Sequence, residues 1–252
     1  MIKDNYIILL FLVPILFGLL NALEFTSVLA RYSGISINNH MMGYSLQQAV
    51  YIFTRFLVVL ILPLMGLLTD LGVNSHNFLN MSRSSLFLSF IFGVIILFLS
   101  RSIISYYIRV INKYKVSSSF LKAMISSIFS KNDLEIDEQP IHDFIKNIRH
   151  PEIIKSLALT TIIFGIYGSG MFISFYFSLM IPEYRTSLSQ MSGAINAFGA
   201  VMLTFFVEPH ISKRIDEHAA IAKNLIMSIF VGRLLGLLIL GQILLAMLEL
   251  FE

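Results

Sequence analysis

Of the 252 residues, 56% are hydrophobic and only 13% are charged, and the mean hydropathy is +0.80. A water-soluble domain of this length could not hide so much apolar surface, so the chain reads as a polytopic membrane protein. With no Cys, a disulfide framework and a thiolate metal centre are both excluded, and the net charge of +3 says less than the places where the charges fall.

About 20 apolar residues cross a bilayer as a helix, and lipid admits only helices or closed barrels. Six stretches reach that length, at 6–29, 44–68, 85–108, 156–180, 187–208 and 223–249. None alternates with period two, which predicts an all-α, six-helix transmembrane bundle. The first stretch is too long for a signal-peptide core and lacks a small-residue cleavage pattern, so it reads as a retained span. It carries Glu24 in its inner half, the one carboxylate expected inside a span, with Arg31 just beyond. Span two holds Arg55 near its middle, roughly 16 Å from either end at helical rise and too deep to snorkel fully.

Residues 110–155 are not linker-like. Phe120, Leu121, Met124, Ile125, Ile128 and Phe129 recur at helical spacing, as do Ile141, Phe144, Ile145 and Ile148, with Asp133, Glu135, Asp137 and Glu138 as an acidic turn between them. Two amphipathic helices covering one face of the bundle are expected there. In span four, Gly165, Gly168 and Gly170 read as close helix packing. The next apolar run is fenced by Pro182-Glu183 and Glu208-Pro209, with Ser189, Gly193 and Ala197 forming a small-residue stripe. Gln190 and Asn196 find no water in hydrocarbon, so this run reads as an inner helix turned toward protein or a wet cavity. Span six carries Arg233 at mid-depth.

The chain thus divides into spans one to three (1–109), an amphipathic loop (110–155) and spans four to six (156–252) of one membrane domain. The two halves have opposite topology, which suits an inverted repeat, without residue-level self-similarity. Arg31, Arg109, Lys113, Lys115, Lys122, Lys131, Lys146, Arg149, Lys155, Lys213, Arg214 and Lys223 fall on one side, against Lys3, Arg83 and Arg185 on the other. That asymmetry places both termini outside the cell.

An ionised group at mid-bilayer costs at least about 2.5 to 3.5 kcal/mol and is tolerated mainly beside a pathway or a counter-charge. Glu24 is the natural partner for Arg55 or Arg233, and the other would turn to backbone carbonyls, Gln47, Gln48 or Gln242, or to a solvated cavity. Both deep cations are Arg, whose planar fork suits phosphate bidentately. Arg31, Arg55, Arg233 and Arg185 would form a ladder of cations across the bilayer. The sequence has no G-x-x-x-x-G-K-[ST] loop for ATP and no H-E-x-x-H metal spacing, and its histidines at 40, 76, 142, 150, 210 and 218 read as loop residues. Gly168-Ser169-Gly170 has no intramembrane His beside it, and Ser119-Phe120-Leu121-Lys122 lacks the companions of an S-x-x-K nucleophile. The reading is therefore a non-enzyme with no cofactor and no metal.

Three stretches carry a family likeness. The first holds Glu24, Arg31, Ser33-Gly34, Arg55, Pro63, Gly66 and Asp70. The second holds Pro182-Glu183-Tyr184-Arg185, Ser189-Gln190-Met191-Ser192-Gly193, Ile195-Asn196, Glu208-Pro209 and Asp216, and the third Gly232-Arg233-Leu234-Leu235-Gly236 with Gln242. In these the chain resembles the Amj-type alternate lipid II flippase family. Glu208 stands where that pattern usually has Asp, and Ser36 and Asn38-Asn39 replace its basic dipeptides.

The resemblance implies a lipid II flippase of the bacterial cytoplasmic membrane, serving peptidoglycan synthesis and cell shape. Its cargo would be undecaprenyl-diphosphate-linked disaccharide pentapeptide, bound by Arg31, Arg55, Arg185 and Arg233, with Glu24, Asp70, Glu183, Gln190, Asn196 and Glu208 in support. Membrane lipids would be its other partners, nucleic acid would not be one, and self-association stays open. Transport of another anionic lipid or small anionic solute, and a non-transporting scaffold, are the competing readings.

Overall fold

The computed structural model describes residues 6–117, 119–130 and 139–251. Lys3, Lys131 and the acidic run from Asp133 to Glu138 lie outside them. Helices α1 (Tyr6–Ser36), α2 (His40–Asp70) and α3 (Ser75–Phe98) are followed by the shorter α4 (Ser100–Ser117), α5 (Phe120–Ile128) and α6 (Pro140–Asn147). Then come α7 (Pro151–Met180), α8 (Arg185–Met202), α9 (Glu208–Glu217), α10 (Ala219–Leu235) and α11 (Gly241–Leu248). The stretch Leu203–Val207 joins α8 to α9, and Gly236–Leu240 joins α10 to α11, each as a π-helical turn in one continuous rod. Among the described residues six helices are long and apolar enough to cross a membrane, so this is an all-α, multi-pass membrane protein. Ile7, Phe11, Phe53, Phe56 and Val59 are exposed on its flanks, an apolar coat suited to lipid tails.

α1 and α2 make a tight antiparallel pair because Gly34 and Gly43 let the two backbones meet; a Cβ on either would strike the other's backbone. The chain reverses through Asn38 at φ 52°, a left-handed position that Asn tolerates. The third span begins and ends earlier than its hydropathy suggests, at Ser75–Phe98 rather than 85–108, and 100–117 forms a separate helix. Its polar start is no obstacle, because Ser82, Ser85 and Ser89 each donate at 2.8 Å to the carbonyl four residues back and so carry their own acceptors into the span.

Both amphipathic helices are present. α5 folds back on α4, where Tyr114 stacks on Phe120 at 4.2 Å, and α6 lays Phe144 against α10. The glycines of α7 act as expected: Gly165 receives Leu240, Gly168 receives Leu237 and Gly170 receives Ile195. Gly232 and Gly236 bring α10 onto the backbone of α7 from the other side.

The run from 181 to 209 is not an inner helix. In α8 only Ser192 and Gly199 are buried, Gly193 has open space where a Cβ would be, and Gln190 and Ala197 are exposed. The face that packs is Ser192, Ile195 and Gly199, about one residue around from the small-residue stripe, because α7 offers Gly170 to Ile195 and Tyr167 to Gly199. Nor does Glu208-Pro209 end the helix. The π-helical turn before it absorbs the hydrogen bond that Pro209 cannot donate, and the rod runs on to Glu217.

Packing partners pair the two halves. α1 sits between α2 and α3, and α7 sits between α8 and α10; across the halves α1 meets α10 and α7 meets α3. Arg31 near the end of α1 pairs with Glu208, and Glu152 at the start of α7 pairs with Arg214 on the same rod. α1 therefore ends where α7 begins, and the two central helices run antiparallel.

Candidate functional site

Glu24 and Arg233 form a buried ion pair in the bundle. Their side chains are 0% and 5% exposed, and Nη2 of Arg233 lies 2.6 Å from Oε2 of Glu24. The guanidinium also lies 4.1 Å from the ring centre of Phe164 and 5.7 Å from that of Phe25, while the Thr54 hydroxyl, which donates to the Tyr51 carbonyl at 2.6 Å, lies 3.4 Å from Oε1 of Glu24. Taking two charges out of water is repaid only by such close mutual contact. Glu24 thus chooses Arg233. Arg55, at the middle of α2, makes no ion pair among the described residues; it donates to the Tyr167 hydroxyl at 3.4 Å and lies 4.3 Å over the Tyr51 ring. Gln242, a candidate partner for it, donates instead to the Arg83 carbonyl.

Glu24 and Arg233 line a cavity of about 290 Å³. Tyr44, Gln47, Gln48 and Tyr51 of α2 form one wall and Ala200, Leu203, Thr204 and Glu208 of the α8–α9 rod the other. α2 packs chiefly on α1 and α8 chiefly on α7, so the cavity lies at the seam between two helices that each carry exposed apolar side chains. A second cavity of about 520 Å³, lined by Arg31, His40, Ser212 and Asp216 among others, shares Tyr44 and Glu208 with the first. At that boundary Nη1 of Arg31 holds Oε2 of Glu208 at 2.6 Å, with its guanidinium 5.1 Å over the Tyr44 ring. Arg31 is buried, and its Nε and the Nδ1 of His40 have no hydrogen-bond partner among the described residues.

At the far end of the same two helices Arg185 meets Asp70 at 3.2 Å on the surface. Between there and Arg55, Val58, Ile61, Tyr167 and Asn196 enclose only about 20 Å³. Arg233 lines the first cavity and Arg31 the second, whereas Arg55 and Arg185 line neither; Arg31, Arg233 and Arg185 each hold a carboxylate. Glu183 and Gln190 are exposed and join none of this, and Glu183 makes no ion pair among the described residues.

Residue-type reasoning passed over Tyr44, Tyr51 and Thr204 as cavity residues. A signal was there: Tyr44, Gln47, Gln48 and Tyr51 fall at i, i+3, i+4 and i+7, a polar stripe down one face of an apolar span.

A family model described as "Amj: Alternate to MurJ" matches residues 16–248. A protein of Bacillus subtilis (strain 168) named "Lipid II flippase Amj" is 25% identical over 208 residues, covering 80% of this chain and 77% of that one. No solved structure matches. Glu24, Arg31, Arg55, Arg185, Glu208 and Arg233 all lie within the matched residues, and the chain belongs to the Amj family.

Proposed function

We propose that this protein is a lipid II flippase, a transporter rather than an enzyme, moving the undecaprenyl-diphosphate-linked peptidoglycan precursor from the inner to the outer leaflet of the bacterial cytoplasmic membrane. The relative's name supports the cargo. The observation that carries the mechanism is the buried Glu24–Arg233 pair in the wall of a cavity at the α2–α8 seam. A diphosphate and its sugars cannot cross about 30 Å of hydrocarbon unaided, whereas the long tail is at home there. A seam between two helices that each pack chiefly on another neighbour lets the headgroup travel inside while the tail stays in lipid.

The arginines bind by exchange. Glu208 occupies Arg31 and Glu24 occupies Arg233, so each of these two buried cations is compensated. Diphosphate, a stronger bidentate acceptor for the guanidinium fork, takes the carboxylate's place first at Arg31 and then at Arg233. Arg55 is next along the seam, screened by Tyr51 and Tyr167, and Arg185 is the last, freed when Asp70 lets go. The excess of Lys and Arg supports a cytoplasmic Arg31 end and extracytoplasmic termini.

The test is growth of a bacterium depleted of its other lipid II flippases. Arg55→Gln and Arg233→Gln are each expected to abolish rescue while the protein inserts at the wild-type level. Normal growth with either variant would refute that arginine's role.

A further inference from the structure

The charged groups of the cavity are occupied with one another, but the neutral groups that α2 brings to it are not. Tyr44, Gln47, Gln48 and Tyr51 make no side-chain hydrogen bond among the described residues, although all four line the cavity and the Gln47 carbonyl oxygen is buried. Unspent polar capacity inside a bilayer protein is costly unless water or a ligand takes it up. A phosphate asks only for donors and a metal ion only for acceptors. A carboxamide offers two N–H donors and a carbonyl acceptor in one plane, which matches a ligand bearing both kinds of group side by side. Hydroxyls and amides on a sugar ring do so. The two Tyr rings at either end of the stripe are held by guanidinium groups, Arg31 at 5.1 Å and Arg55 at 4.3 Å, and supply flat apolar surface of the kind that packs on the C–H face of a pyranose.

We infer that this face of α2 is a saccharide subsite, binding the hydroxyl- and amide-bearing sugars next to the diphosphate while the arginines bind the diphosphate itself. The inference rests on the flippase reading above. It divides the cargo between two kinds of wall: ion-paired arginines that read charge, and an uncharged α2 stripe that reads the sugars.

The full-length protein in lipid nanodiscs is titrated with lipid II and, separately, with undecaprenyl diphosphate, which has the same tail and diphosphate but neither sugars nor peptide. The lipid-linked disaccharide without its peptide should bind as lipid II does, and binding no tighter than undecaprenyl diphosphate would assign the stripe to the peptide instead. The wild type is expected to hold lipid II more tightly. Replacing both amides with apolar groups of similar size, Gln47→Leu with Gln48→Leu, should weaken lipid II by about tenfold, the equivalent of one or two hydrogen bonds, and leave undecaprenyl diphosphate unchanged. Arg233→Gln should weaken both lipids. Thermal unfolding of each variant checks that it is folded, and Gln47→Asn with Gln48→Asn, which keeps the amides, should lose less than the Leu pair. Equal affinity of the wild type for the two lipids, or an equal loss of both in the Leu variant, would overturn the saccharide subsite and leave the flippase reading standing. Failure of the wild type to bind either lipid would overturn the flippase reading, and the subsite with it. Displacement of lipid II by a soluble disaccharide at comparable concentration would assign the stripe to free sugar and overturn the lipid-linked assignment.

Discussion

Residues 44–51 of α2 and 200–208 of the α8–α9 rod stand apart across a cavity of about 290 Å³, while further along the same two helices only about 20 Å³ remains and Asp70 meets Arg185 at 3.2 Å. The two ends differ in how their charges are held. Arg185 and Asp70 are 31% and 66% exposed, so water screens their attraction and the pair contributes about 0–1 kcal/mol. At the cavity end Glu24 and Arg233 are almost wholly buried, and losing either partner strands a charge at a cost of about 3–5 kcal/mol. The closed end is thus lightly fastened and the open end firmly built. A carrier caught with one mouth open would be expected to change state where the fastening is weak.

The largest way to break this contrast is at the buried pair. Glu24→Ala should lower the stability of the detergent-solubilised protein by about 3–5 kcal/mol, while Glu24→Leu combined with Arg233→Met should recover most of it. Both variants should fail to move lipid II in proteoliposomes, which separates the pair's role in transport from its role in folding; a transporting double variant would show that the pair is structural only.

At the boundary of the two cavities, Arg31→Gln removes a buried guanidinium from the half-buried Glu208. The expected loss is about 2 kcal/mol in a chemical unfolding titration, and Glu208→Gln should cost more, because it leaves the buried Arg31 without a counter-charge whereas Arg31→Gln leaves a carboxylate that water still reaches. Equal losses would mean that the burial of Arg31 does not set the cost.

The smallest effect belongs to the exposed clasp. Asp70→Asn should change stability by less than about 1 kcal/mol, yet admit a thiol reagent to a cysteine placed at Ile61, which lines the small cavity behind it. The natural chain has no Cys, so that thiol would be the sole target. Labelling as slow as with Asp70 intact would show that the clasp does not fasten this end.

Much of this was legible in the residues, because hydrocarbon imposes one rule on every span. Six apolar runs, the glycine contacts of α7 and the amphipathic α5 and α6 follow from length and periodicity alone. Ser75–Phe98 was harder to bound: seryl hydroxyls count as polar in a composition sum but vanish into their own helix. A deep Glu–Arg pair was foreseeable, whereas the choice of Arg233 over Arg55 was not, since it depends on how α10 is drawn onto α7 at Gly232 and Gly236. The stripe at Ser189, Gly193 and Ala197 misled for a related reason. Small residues permit close approach, but a partner must offer a surface to approach, and α7 offers its surface to the neighbouring face of α8.

The antiparallel arrangement of α1 and α7, each flanked by two helices of its own half, has a thermodynamic corollary. On the flippase reading, halves that point opposite ways would let either end of the seam open in turn, which is a route without a vector. Net flow through such a route follows the chemical potential of what it carries. Reactions that consume the precursor on the far side would act as the sink, and the protein itself would need no engine.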